Sequence, residues 1–251
     1  MSTHLVIPDP HGHPDHHNKR ADYLGRFILD LKPDVVINLG DMFDMPSMNN
    51  FDTGRKTWGR DYQADINAGC DFDDRLWHPL RHAKKKRPRS IFLVGNHEQR
   101  MSRILNDHPE FEGFMNWGDY DLERNYHEVV PYDGDTPGIC FVDGVAYAHY
   151  HISGVMGKAI GGVHQGSAIV NKVGASATMG HTHTRNFFEL RHHAGPTRLG
   201  LVAGVYQDYN SDWAGVRNAM WWRGVVVKRN VENGVYDHQW ISLDALKKEY
   251  S

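Results

Sequence analysis

Four segments of this chain end an apolar run in residues that can hold a metal ion. Leu5-Val6-Ile7 leads to Asp9 and His11, and Val35 to Leu39 leads through Gly40 to Asp41 and Asp44. Ile91 to Val94 leads through Gly95 to Asn96, His97 and Glu98, and the run ending at Met179 leads through Gly180 to His181 and His183. Carboxylate, imidazole and amide oxygen suit Mn²⁺, Fe, Zn²⁺ or Ni²⁺, and the lack of thiolates argues against a structural zinc site. Two such cations about 3.5–4 Å apart would make hydroxide from water at neutral pH, neutralise phosphate oxygens and align in-line attack. Asp41 suits the bridging position, because its two oxygens can hold two cations together.

Donors from four separated segments can converge only if the fold gathers strand ends. In open α/β sheets, ligands bind beyond the carboxyl ends of the strands. A glycine before a ligand lets the backbone turn sharply and approach the site closely. The pattern predicts a strand at 5–7, a helix over 18–31 with Leu24, Phe27, Ile28 and Leu31 on one face, and a strand at 35–39. This is a β-α-β unit with parallel strands. Helix is expected within 61–86, interrupted near His78-Pro79, and strand at 91–94. Asp143-Gly144 and Glu232-Asn233-Gly234 read as hairpin turns. Strands are expected at 175–179, 198–205, 220–228 and 235–241, and a closing helix at 243–250. The β-α-β first half and β-rich end point to an α/β (α+β) fold with two sheets covered by helices.

The 251 residues fit one domain, 1–251, with inserts at 45–88 and 99–138 expected to wall the cleft. Net charge is -3 with His neutral, so the overall balance does not mark a strong nucleic-acid binder. Only two cysteines occur, Cys70 and Cys140, without CxxC spacing, which argues against a disulfide framework. No apolar run reaches the roughly 18 residues of a membrane span, and the start lacks a signal-peptide layout. A cytoplasmic setting and no membrane partner are expected. Histidine is abundant at 18 residues, and its placement after strands gives that number its meaning.

The ordered set DPH, GDMFD, GNHE, a later strand-end His, and GHTH resembles the motifs of the calcineurin-like metallophosphoesterase superfamily. The resemblance covers residues 4 to 185 and implies a four-layer αββα sandwich of two mixed β-sheets flanked by helices. It further implies that Asp9, His11 and His183 hold one divalent metal, that Asn96, His149 and His181 hold the other, and that Asp41 bridges them, with Mn²⁺ the leading ion. His97 would then stabilise the transition state or protonate the leaving oxygen, and Asp44 would orient a ligand or His97. Position after the apolar run favours His149, with His151 as the alternative, because Tyr150 stands where the family often has Gly. HYHISGVMGK is similar to compact, tailed-phage-encoded members, for which the setting would be the host cytoplasm. The family's protein phosphatases carry GDxVDRG; the stretch here, Gly40 to Pro46, lacks that Arg. A phosphodiesterase acting on nucleic acid or nucleotides is therefore expected first, and a phosphomonoesterase or nucleotide pyrophosphatase second.

Two other readings compete. His11, His13, Asp15 and His16 also fit the HxHxDH pattern of metallo-β-lactamase-type hydrolases. That signature normally follows several strands, however, and it would leave the GD and GNHE motifs without a role. A non-catalytic, metal-stabilised nucleic-acid-binding module could use the basic run Lys84 to Arg89, which also reads as a helix C-terminus. Arg100 and Arg103 follow GNHE on a predicted helix, and Arg100 is the candidate substrate-phosphate contact. Asp71, Asp73 and Asp74 read as a solvated face, and Trp213, Trp221, Trp222 and Trp240 as core or sheet-covering residues.

Overall fold

A computed structural model describes residues 1–49 and 59–251. The chain begins with β1 (Ser2–Ile7), α1 (Lys19–Leu31), β2 (Val35–Asn38), α2 (Tyr62–His82), β3 (Arg89–Leu93), α3 (Gln99–Asp107) and β4 (Glu128–Val130). A hairpin of β5 (Cys140–Val142) and β6 (Val145–Tyr147) follows, then a small ribbon of β7 (Ile152–Ser153) and β8 (Lys158–Ala159). The remainder is α4 (Gln165–Val173), β9 (Ser176–Met179), β10 (Arg185–Leu190), β11 (Arg198–Ala203), β12 (Gly224–Glu232), β13 (Val235–Ser242) and α5 (Leu243–Tyr250).

One sheet has the order β13-β12-β1-β2-β3-β4 and the other β10-β11-β9-β6-β5. β1, β2, β3 and β4 run parallel, as do β6, β9 and β11, while β12 is antiparallel to both β1 and β13, β5 to β6, and β10 to β11. Side chains alternate across a strand, and here the alternation builds the layers. Leu5, Ile7, Val36, Phe92 and Val225 face Leu24, Ile28, Phe72, Leu76 and Leu246 of the helices. Val6, Ile37, Ile91 and Val226 face the second sheet, where Val145, Tyr147, Leu199 and Leu201 meet them. Ala146, Ala177 and Val202 pack against Ile169 of α4. The result is the expected αββα sandwich.

The parallel pairing carries the functional consequence. The carboxyl ends of β1, β2 and β3 in one sheet, and of β6 and β9 in the other, are the points after which the candidate ligands occur. Both predicted hairpin turns form, with Asp143 and Gly144 at φ 49° and 83° and Asn233 and Gly234 at 50° and 82°. Two consecutive left-handed residues match the right-handed strand twist, which is why Asp-Gly and Asn-Gly serve there.

Several local expectations change. α2 runs unbroken through Pro79, because the proline lies in the last turn and Leu76, Trp77 and Leu80 keep the helix anchored. α2 is a core layer, packed so closely on α1 that a Cβ on Gly25 would lie 2.4 Å from the Leu76 carbonyl oxygen. Of the insert expected at 45–88, residues 50–58 lie outside the described residues. β4 and β10 were not legible: β4 is three residues long, and β10 is an edge strand with no fully buried position. Residues 212–220 form 3-10 turns, so the strand expected from 220 begins at Gly224. Asp73 is buried, accepting hydrogen bonds from Trp77 Nε1 and Asn125 Nδ2 at 3.1 and 2.6 Å. Among the described residues, no helix is long and apolar enough to cross a membrane.

Candidate metal centre

The loops after β1, β2 and β9 deliver their donors through a strained backbone. Asp9, His11, Asp41, His181 and His183 have φ of 41°, 47°, 51°, 64° and 61°. A left-handed L-residue costs on the order of 1–2 kcal/mol, and such residues persist where surrounding contacts fix them, often at functional sites. The glycines in these loops are required by close approach. A Cβ on Gly95 would sit 2.2 Å from Asp41 Oδ1, and one on Gly180 would sit 2.2 Å from Asp9 Oδ2.

The structure gathers the candidate ligands into neighbouring clusters. Asp9, His11 and His183 form one, and Asp41, His149 and His181 another, each with its ligand atoms within 4.8 Å of one another. His11 Nε2 and His183 Nε2 face each other at 3.2 Å. His149 Nε2 lies 3.2 Å from His181 Nδ1, 2.9 Å from Asn96 Oδ1 and 3.3 Å from Asp41 Oδ2. The clusters adjoin, since His149 Nδ1 is 3.6 Å from Asp9 Oδ1 and the His181 amide donates to both Asp9 oxygens. His149, not His151, therefore occupies the cluster. His151 is buried elsewhere, with Nε2 lacking a partner, and burial lowers its pKa to about 4.

Neighbouring groups fix the ring orientations. His11 Nδ1 donates to Asp44 Oδ1 at 2.7 Å, and His149 Nδ1 donates to the Leu39 carbonyl at 2.8 Å. In both rings this turns Nε2 inward, the arrangement that orients a ligating imidazole. Asp44 also takes His97 Nδ1, through its carbonyl at 2.6 Å and its carboxylate at 3.3 Å. Burial opposes ionisation of Asp44, but the His11 and His97 hydrogen bonds outweigh it and hold its carboxyl well below the usual range. A third cluster, His11, Asp44 and His97, shares His11 with the first.

Two supporting residues were poorly legible in sequence. Glu98, ambiguous between site support and helix start, is fully buried and accepts from the amides of Asp41, Phe43 and Gly95, each at 2.9 Å. It ties the loop after β2 to the loop after β3. Burial and the charge of Asp41 raise its pKa to about 7. Arg20 is also buried and carried no sequence signal, because it joins the first loop to Tyr206 and Asp208, which are remote in the chain. It donates to the carbonyls of Pro10, His11 and Tyr206 at 2.7, 2.9 and 3.1 Å, and pairs with Asp208 at 3.2 Å. Tyr209 adds a hydroxyl bond to the His11 carbonyl at 3.0 Å.

Other candidates fall outside the clusters. Arg100 donates through Nη1 to the Asp44 and Met45 carbonyls at 2.8 and 2.9 Å, and through Nη2 to His97 Nε2 at 3.0 Å. Its terminal nitrogens thus hold the 44–45 turn and touch the catalytic candidate. The HxHxDH set does not assemble: the Asp15 side chain is 84% exposed, and His16 stacks on Tyr209 at 3.7 Å. His13 lies 3.7 Å from Asp44 and 3.9 Å from Asp15. The basic run lies at the amino end of β3, whereas Asn96 and His97 follow its carboxyl end. A five-residue strand separates them, about 17 Å. Arg87 bonds to the Arg124 carbonyl and Asn125, and Arg89 pairs with Glu128, so part of the run belongs to the fold.

The donor set fits divalent cations. It offers imidazole, carboxylate and amide oxygen without thiolate; both cysteines are free and outside the clusters. The electrostatics point the same way. Burial opposes the charged form of His149, but Asp41 and Asp9 outweigh it and raise its pKa to about 9. Burial likewise opposes ionisation of Asp41, yet His149, His97 and His11 hold it well below the ordinary value. Burial raises Asp9 to about 7, despite His149. Burial and neighbouring imidazoles lower His181 to about 3, and lower His183 as well. A proton on His149 thus compensates carboxylate charge that a cation would otherwise neutralise.

No family model and no curated protein matches the chain. A solved structure described as a novel archaeal phosphodiesterase is similar at 14% identity, covering 95% of this chain and 99% of that chain, with a TM-score of 0.44. So distant a likeness assigns no chemistry.

Removing the Glu98 acceptor should uncouple the two loops. Glu98→Ala leaves three buried amides unsatisfied and should cost about 3 kcal/mol or more, read as a lower urea midpoint with weaker Mn²⁺ binding. An unchanged midpoint would remove Glu98 from this role. His149 must be neutral to ligate a metal, and its pKa of about 9 keeps it protonated near neutrality. Metal uptake at pH 7.5 should therefore release protons, and affinity should rise with pH until about 9. Calorimetry in buffers of different ionisation enthalpy measures the release; identical heats in all buffers would contradict it.

Proposed function

We propose that this chain is a calcineurin-like metallophosphoesterase in which residues 1–251 form one catalytic domain. It hydrolyses phosphodiesters, in nucleic acid or nucleotides, with two divalent metal ions, Mn²⁺ foremost. The observation that carries this reading is the convergence of two donor clusters from loops of both sheets, with His97 beside them. Asp9, His11 and His183 would hold one ion, Asn96, His149 and His181 the other, with Asp41 between them. When bound, the ions supply a hydroxide nucleophile at neutral pH and neutralise phosphate charge.

The remaining roles belong to the chain. Asp44 fixes the His97 ring by accepting from Nδ1, which leaves Nε2 on the side of Asp41, 3.8 Å from its Oδ2. To meet a phosphate oxygen or pass a proton to the departing one, His97 Nε2 would exchange the hydrogen bond it accepts from Arg100 Nη2 at 3.0 Å for a proton of its own. Arg100 holds the 44–45 turn that carries Asp44 and is a positioning residue in this scheme. With both of its terminal nitrogens engaged, it is poorly placed to clamp the terminal oxygens of a dianionic monoester. That favours a diester, which carries a single charge.

The test uses metal-free protein reloaded with Mn²⁺, Zn²⁺ or Ni²⁺ and supplied with bis(p-nitrophenyl) phosphate or p-nitrophenyl phosphate. The diester should turn over faster, and Asp41→Asn should abolish turnover. His97→Ala should keep its metals and slow the reaction by about 10²–10⁴-fold. Faster monoester turnover would replace the diesterase reading with the phosphomonoesterase one. Full activity in Asp41→Asn would overturn the scheme.

A further inference from the structure

The four tryptophans of the chain's last third separate into two kinds. Trp222 and Trp240 pack edge to face at 4.9 Å beneath the Arg185 guanidinium, each half-buried over the sheet. Trp221 and Trp213 instead extend from the metal centre. Trp221 is half-buried and meets the His183 ring edge-on at 4.4 Å. Trp213 lies 5.7 Å from Trp221 and 6.4 Å from His183, yet stays 55% exposed, the most open of the described tryptophans. An aromatic wall therefore runs from a candidate ligand to solvent.

Local structure holds the outer ring in place. Arg217 sits 5.3 Å over the Trp213 ring, while its Nη2 donates to the Trp213 carbonyl at 2.9 Å and its Nε to the Ala214 carbonyl at 3.3 Å. Gly215, at φ 51° and ψ -127°, supplies the fold-back that brings Arg217 over the indole. A cation backing one face of an indole leaves a flat, polarisable surface beside the place where phosphate would bind. The group attached to that phosphate is what can reach the surface.

We infer that Trp213 is a stacking platform for the nucleobase of the phosphodiester substrate, with Arg217 as the positioning residue behind it. The inference rests on the phosphodiesterase reading of the centre and narrows its substrate class to nucleoside-containing diesters. Stacking on an aromatic tolerates any base, because every base presents a π-face. The platform therefore selects for the presence of a base and not for its sequence.

The experiment compares thymidine 5′-(p-nitrophenyl phosphate) with methyl p-nitrophenyl phosphate, which share a leaving group and differ by the nucleoside. The wild-type protein should show the lower KM for the thymidine ester. Trp213→Ala should reduce the ratio of methyl to thymidine KM about tenfold, and Trp213→Phe should restore most of it. A ratio unchanged by Trp213→Ala overturns the platform. A second readout needs no turnover: thymidine 5′-monophosphate should quench the protein's tryptophan fluorescence more than ribose 5-phosphate does, and Trp213→Ala should remove the difference. Quenching that depends on Trp213, in protein that hydrolyses neither ester with any metal, would sustain the platform and refute the catalytic reading. Turnover of the methyl ester with equal quenching by both phosphates would do the reverse.

Discussion

Across 3.2 Å, His11 Nε2 faces His183 Nε2, and His149 Nε2 faces His181 Nδ1, with two buried carboxylates beside them. Lone pairs held at that separation repel unless a proton or a cation lies among them. Hydrophobic collapse of two sheets would not by itself produce such an arrangement, because buried polar groups without partners are costly. The surrounding structure supplies the compensation. Glu98 binds two loops through three amides, Arg20 binds the first loop to the segment around Tyr206, and Asp44 holds two imidazoles. The left-handed residues and close glycine contacts are the geometric cost of bringing those donors together.

Placement in the fold follows from the same constraint. Parallel strands put successive loop starts at one edge of a sheet, and two sheets packed face to face put two such edges side by side. The hydrogen bond from His149 to the Leu39 carbonyl crosses from the second sheet to the first. The inter-sheet core, with Val6, Ile37 and Leu93 against Tyr147 and Leu201, therefore fixes the relation between the two halves of the centre.

The parts legible in sequence were those with a strong local pattern. Apolar runs leading to a metal-type ligand, through Gly in three of the four, revealed β1, β2, β3 and β9 and the donors after them. Asp-Gly and Asn-Gly revealed both hairpins. His149 needed its position directly after β6, and His151, two residues on, differs only in where its ring is buried. What remained hidden depends on distant partners. Arg20 ties the first loop to Tyr206 and Asp208, most of the chain away. The edge strands β4 and β10 take their conformation from pairing more than from their own periodicity. Trp213 resembled three structural tryptophans until the fold placed it beside His183 and left it exposed.

The central claim is that the two clusters form two metal sites sharing one centre. Metal content per chain, measured by plasma mass spectrometry after loading metal-free protein with Mn²⁺ and removing the excess, tests it most directly. The account predicts two ions in the wild-type protein, with one lost in His183→Ala and one lost in His149→Ala. A single ion in the wild type, or two retained in both variants, would contradict it.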